Sequence, residues 1–313
     1  MAQIACASAR LWTTSKQALG MNVGQLSELW RYPVKSMAGE NIQSGRFDAY
    51  GMIGDRAWAA INTETGNVGW GKSYPKLMNL KARYTREPPP TRSYGEDVSP
   101  VAIHFPSGDV AVSNANPDKA LTDYIGAPLH LSPLEPPENR QHYRWKDPIG
   151  YDDILKILGI GPDEPAPDLS AYDENIIELL AEYFAPPGTY NDMFPVHALT
   201  TSSLDHMEKK SGERFDVARF RPNFLIQTVP GINGLIEFNW IGKTLEIGES
   251  VFRVEAKTIR CSMPSRGQAH NGLPQNAQIA KSLVAEAQRF FGAYLSVVKP
   301  GMVNVGDAVI LSD

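Results

Sequence analysis

The chain has 313 residues, 42% hydrophobic and 21% charged, with a formal net charge of -5, which suits two domains or one large composite barrel and excludes a disordered polyelectrolyte or a basic nucleic-acid binder. Its two cysteines, Cys6 and Cys261, are too few for a disulfide framework, an iron–sulfur cluster or a cysteine-rich zinc site. No apolar run approaches the ~18 residues of a membrane span.

Residues 1–20 carry Arg10 and Lys16, have no acidic residue and are rich in Ala, Ser and Thr. That is the loose composition of an organelle transit peptide, but no cleavage site is evident, and the expectation is a flexible tail over 1–22 on a cytoplasmic protein. Residues 23–132 read as a small, mostly-β domain. Strands are predicted over 23–34, 45–50, 57–62, 77–84, 101–105 and 110–113 from their β-branched and aromatic content, with turns at Thr65-Gly66-Asn67 and Ser107-Gly108-Asp109. Pro88-Pro89-Pro90 marks a surface loop over 87–100.

Residues 133–169, with many prolines and charges around a short apolar segment at 151–158, form the connection to a second domain over 170–313. There Ser170 is expected to cap a helix whose stripe is Ile176, Ile177, Leu180 and Phe184, and a second helix spans 202–210. Strands follow at 224–227, 244–247 and 251–256. Asn276 caps a third helix with Ile279, Leu283, Ala287, Phe290 and Phe291 at helical spacing, and 303–311 is the closing strand. The fold class is mostly β with α (α+β): two β-barrel-like domains, the second with helices packed on it.

Three clusters can carry chemistry: Tyr32-Pro33-Val34-Lys35-Ser36, Phe220-Arg221-Pro222-Asn223, and Arg260-Cys261. Together they read as an anion site beside a thiol, because Lys and Arg make charge-assisted bonds to phosphate and an adjacent Arg260 favours the Cys261 thiolate. Plainer readings stand beside this one. Cys261 suits a small inert core residue, Arg221 a structural partner of Asp216 or Glu237, and Lys35 and Arg56 solvated surface charges. The six histidines show no zinc-type spacing, and Gly69-Trp70-Gly71-Lys72 is not a phosphate loop.

Over 23–311 the chain resembles proteins with the MOSC domain, named after the molybdenum cofactor sulfurase C-terminal domain, preceded by the β-barrel domain found in front of it. Residues 29–36 (Leu-Trp-Arg-Tyr-Pro-Val-Lys-Ser) and Gly54-Asp55-Arg56-Ala57-Trp58 resemble its first domain; Phe220-Arg221-Pro222-Asn223, Arg260-Cys261 and Val303-Asn304-Val305-Gly306-Asp307 resemble its second. The amidoxime-reducing components are the relatives this implies, enzymes that reduce N-hydroxylated compounds at a molybdenum cofactor (Mo-molybdopterin). By motif position the resemblance makes Cys261 the molybdenum ligand and catalytic residue, with Lys35, Ser36, Arg56, Arg221, Asn223 and Arg260 around the pterin and its phosphate. It implies a small N-hydroxylated or N-oxide substrate and a separate ferredoxin-like or cytochrome-like electron donor with its reductase, with no nucleic-acid partner. The rival roles are a sulfur carrier acting through a Cys261 persulfide and a cofactor carrier without turnover. Where many relatives have Thr-x-Asp-Pro after the cysteine, this chain has Ser262-Met263-Pro264-Ser265-Arg266-Gly267-Gln268.

Overall fold

Val23, Leu26 and Leu29 are buried along β1 (Met21–Arg31), and this apolar face makes it a stave of a barrel rather than a strand of the lobe that follows it in sequence. A computed structural model describes residues 20–147, 149–158, 160, 167–170 and 172–313. Cys6 and residues 1–19 of the expected tail lie outside them.

After β1 come β2 (Glu40–Ile42), β3 (Ser44–Asp48), β4 (Gly51–Met52), β5 (Trp58–Asn62), β6 (Lys81–Tyr84), β7 (Val101–His104) and β8 (Val110–Val112). The strand expected over 77–84 begins only at Lys81, because Pro75 opens a short 3-10 helix over Pro75–Asn79. Two elements without a sequence expectation follow, α1 (Asp118–Ile125) and β9 (Leu129–Pro133). β9 pairs with β5, and β6, β7 and β8 form a separate three-stranded sheet. These two small sheets share one core that includes Trp58, Leu77, Val101, Leu131 and Tyr143.

The connecting stretch contains α2 (Arg140–Tyr143) and α3 (Tyr151–Leu158), and α4 (Glu174–Glu182) follows it. The cap of α4 is Asp173, whose side chain accepts from Asn175 N–H, rather than Ser170, and the helix ends before Phe184. Then come β10 (Val196–Thr200), α5 (Thr201–Ser211), β11 (Phe224–Thr228), β12 (Thr244–Ile247), β13 (Ser250–Ile259), α6 (Ala277–Ala287), β14 (Phe290–Lys299), β15 (Gly301–Asn304) and β16 (Ala308–Ser312). Phe290 and Phe291 leave the helical stripe because Gln288 and Arg289 turn left-handed, at φ 51° and 68°, and start a strand instead.

Strands β11, β10, β14, β13, β12, β16 and β1 run edge to edge, and pairing of β1 with β11 closes the seven into a barrel. Phe47, Phe224 and Phe252 fill it, with ring centroids 5.1–5.3 Å apart. Helices α5 and α6 pack on it through Leu199, Met207, Phe215, Leu283 and Phe291. The molecule is therefore α+β with barrel-like β units, as expected.

Glu237 lies fully buried, in a 3-10 helix against the barrel. One carboxyl oxygen accepts from Thr200 Oγ1 (2.9 Å) and Ser203 Oγ (2.5 Å), and the other has no partner. Burial pushes its pKa from the usual 4.5 up to about 7 against these hydrogen bonds. The folded state thus holds the proton more tightly than the unfolded chain, so this contribution is complete below pH 4.5 and is lost as pH rises through about 7. The rise corresponds to roughly 3 kcal/mol. Glu237→Gln should leave thermal stability near that of the wild type at about pH 5 and raise it at about pH 8; equal melting curves at both pH values would refute the assignment.

Candidate functional site: a cationic pocket ending at a thiol

Residues 32–36 follow β1 directly and 221–223 precede β11. Because β1 and β11 are antiparallel neighbours, with Leu29 opposite Phe224, both segments emerge at one rim of the barrel. Residues 191–194 precede β10, the parallel neighbour of β11, and reach the same rim. Residues 54–58 are laid beside 32–36 by a short ladder: Arg56 N–H donates to Tyr32 O (2.7 Å), Trp58 N–H to Pro33 O (3.0 Å) and Lys35 N–H to Trp58 O (2.8 Å). At the end of β13, Arg260 reaches across to donate to Phe220 O (2.8 Å), and Cys261 follows it.

All seven residues singled out from the sequence, Lys35, Ser36, Arg56, Arg221, Asn223, Arg260 and Cys261, line a single polar pocket of about 90 Å³. Lys35 is only 3% exposed and donates to Tyr190 O (2.8 Å) and Asp192 Oδ1 (2.5 Å). It is not a solvated surface charge. Arg56 pairs with Asp55, and the Arg56 and Arg221 guanidiniums lie 5.0 and 4.2 Å from the Tyr32 ring centroid. Arg221 meets neither Asp216 nor Glu237; it donates to Met37 O, and its Nη2 has no partner. Arg260 Nε is likewise unpartnered, and among the described residues neither Arg221 nor Arg260 has a carboxylate partner. Burial, then the charge of Arg56, lowers Arg221 to about 10, so it stays charged at neutral pH without a counter-ion.

Ser36 (φ 68°), Arg56 (φ 48°) and Arg221 (φ 54°) all have left-handed backbone, half of the non-glycine residues with positive φ among those described. Each such residue costs roughly 1–2 kcal/mol, so surrounding contacts must hold this rim in place. Asn223 is part of that support. Its amide nitrogen donates to Trp30 O (3.2 Å) and Asp55 Oδ2 (3.0 Å), while its Oδ1 accepts from His197 N–H (3.1 Å).

One expectation is corrected. Burial pushes the Cys261 thiol up, and the opposing charges of Arg260 and Lys72 do not outweigh it, so the neighbouring arginine alone does not make a thiolate. The pocket also holds groups the sequence reading missed. Asp192 and Tyr294 also line it; His197 is buried with Nε2 unpartnered; Arg219 donates to Pro264 O, Arg266 O and Pro274 O, which fixes the segment after Cys261. None lies in a recognisable local pattern except Arg219, two residues before Arg221. No group of three or more His, Cys, Asp or Glu suited to a metal is present among the described residues.

The arrangement defines a β-barrel protein whose rim gathers buried cationic side chains beside a half-buried thiol. The chain belongs to the MOSC-domain proteins: residues 23–113 match the MOSC N-terminal beta barrel domain and residues 186–310 the MOSC domain. It is 23% identical to mitochondrial amidoxime-reducing component 1 of Homo sapiens, over 96% of this chain and 87% of that one. It is 24% identical to mitochondrial amidoxime reducing component 2 of Bos taurus, over 92% and 83%. Among solved structures, the YUAD protein from Bacillus subtilis aligns with a TM-score of 0.44 at 11% identity, over 92% of this chain and 95% of that one.

Asp192 opposes the positive charge of the pocket. Its side chain is 73% exposed to the water of the pocket, and although burial works against ionisation, Lys35 holds the carboxyl at about 2. Asp192→Asn should therefore tighten the binding of inorganic phosphate about fivefold, the effect of one like charge roughly 4 Å away in wet surroundings. Calorimetric titration reads this, and unchanged affinity would mean that anions do not enter here.

Proposed function

We propose that the protein is a molybdenum-cofactor-dependent reductase component acting on small N-hydroxylated or N-oxide compounds, with electrons from a separate donor protein. The carrying observation is the position of Cys261, a thiol lining the same pocket as Arg221 and Arg260, which have no carboxylate partner among the described residues. The donor set fits the cofactor. The unpartnered N–H groups of Arg221 and Arg260 need acceptors, which a pterin phosphate supplies, and a thiol is a soft ligand suited to molybdenum. When bound, the cofactor supplies two-electron oxygen-abstracting chemistry.

The work of the chain itself is positional and electrostatic. Lys35, Ser36, Arg56 and Arg221 hold the phosphate and pterin, Arg260 offsets the negative charge of the ligated sulfur, and Asn223 keeps Asp55 and Arg56 in register. In the overall reaction one N–O bond breaks, the oxygen leaves as water, and two electrons and two protons are consumed. The two cysteines of this chain are too few for an iron–sulfur centre of its own, so the electrons come from a ferredoxin-like or cytochrome-like partner with its reductase. The amidoxime-reducing relatives support this reading, and their mitochondrial names agree with the acid-free composition of residues 1–20.

Protein made in a host competent for cofactor synthesis should contain stoichiometric molybdenum and pterin, whereas a cyanide-labile sulfur without metal would favour sulfur transfer. With a reduced viologen and benzamidoxime, Cys261→Ser should keep its melting temperature and lose more than about a hundredfold in activity, since a hydroxyl is a poor soft-metal ligand. Full activity in that variant would overturn the reading. Arg221→Ala should lower pterin occupancy, its lost contact being worth about 1.5–3 kcal/mol, and wild-type pterin content would assign Arg221 to structure alone.

A further inference from the structure

A second, apolar chamber of about 150 Å³ adjoins the cationic one and shares Cys261, Met263, Asp192 and Tyr294 with it. Its walls include Trp70, Trp145, Ile177, Leu180, Phe184 and Met193. Three observations give it a purpose. First, α4 is amphipathic yet has no fully buried residue, and Ile177 and Leu180, both half-buried, line this space, Ile177 at the edge of the cluster of Tyr172, Ala256, Ile259 and Phe290. Second, the aromatic wall is rigid: Trp145 lies 5.5 Å from Trp70 and 6.0 Å from Phe184 between centroids, and its indole N–H donates to Leu180 O at 2.9 Å. Third, the polar element is small. The Lys72 ammonium is shielded from solvent, has no hydrogen-bond partner among the described residues, and acts electrostatically on Cys261.

Trp145, Ile177, Leu180 and Phe184 lie between residues 113 and 186, the stretch that neither matched domain covers. These four residues of the wall therefore come from outside the two matched segments, while Trp70, Lys72 and Met193 come from within them. An apolar space of about 150 Å³ holds one benzene-sized ring.

We propose that the apolar chamber selects N-oxygenated substrates bearing a single aromatic or comparably apolar ring, seated against Trp145, Ile177 and Leu180 with the oxygen end toward Lys72 and Cys261. The proposal deepens the reductase reading and rests on it. Benzamidoxime and acetamidoxime test it, because they share the reacting head and differ only in phenyl against methyl. Calorimetry on cofactor-loaded protein should find benzamidoxime bound at least about tenfold more tightly, and kcat/KM with reduced methyl viologen should show the same preference. Leu180→Glu and Ile177→Glu, each on the half-buried face of α4, should abolish most of that preference while changing acetamidoxime binding less than about twofold. Lys72→Met should weaken both compounds by the same factor and leave the preference intact. Equal affinities in the wild type, or full preference in the two glutamate variants, would overturn the proposal. Ring-selective binding without reduction of either compound would refute the reductase reading and keep the chamber; reduction of both with equal kcat/KM would do the reverse.

Discussion

One buried carboxylate, that of Asp55, holds the functional rim together. It accepts from Tyr32 N–H at 2.7 Å, pairs with Arg56 and accepts from Asn223 Nδ2 at 3.0 Å, so a single side chain links the residues after β1, the segment before β5 and the start of β11. A carboxylate that is 5% exposed persists only with full compensation, and here two N–H donors and a guanidinium provide it. The same bonds hold Arg56 in its left-handed backbone and fix Tyr32, over whose ring Arg56 and Arg221 are placed.

From that anchor the electrostatics of the pocket follow. Asp55 compensates Arg56 and Asp192 compensates Lys35, but Arg221 and Arg260 rely on carbonyl oxygens and ring faces for partners. Burial lowers the pKa of both. The protein therefore keeps two guanidiniums in an environment that disfavours their charge, a state that an entering anion relieves. The thiol is in the complementary position, since burial favours its protonated form and cationic neighbours only reduce that preference.

The two chambers share Ser36, Asp192, Ile259, Cys261, Met263 and Tyr294 but differ in the rest of their lining. Charge and backbone strain are concentrated where the barrel rim meets the first lobe, while apolar surface comes from α4 and the stretch after α2. Because the two walls come from different parts of the chain, substitutions in α4 alter the apolar chamber without touching the Asp55 network. The barrel closes without this helix: β1 pairs with β11 and β16, and α4 contributes to no sheet.

By itself the sequence determined the α+β class, most strands, the existence of the three long helices with the limits of α5, and seven of the residues that line the pocket. Those were legible because turn residues, strand alternation and the Lys35, Arg56, Arg221 and Cys261 motifs are local patterns. It did not reveal β10, the end of α6 before Phe290, or Asp192, since none has a distinctive neighbourhood in the chain. Only the tertiary structure decided that β1 closes the barrel against β11, that 32–36, 54–58, 191–194 and 221–223 share one rim, and that Cys261 is held protonated despite Arg260. The physical reason is common to all three. Register between distant strands depends on which faces are buried together, and a pKa depends on how much water that burial removes, neither of which is a property of residues adjacent in sequence.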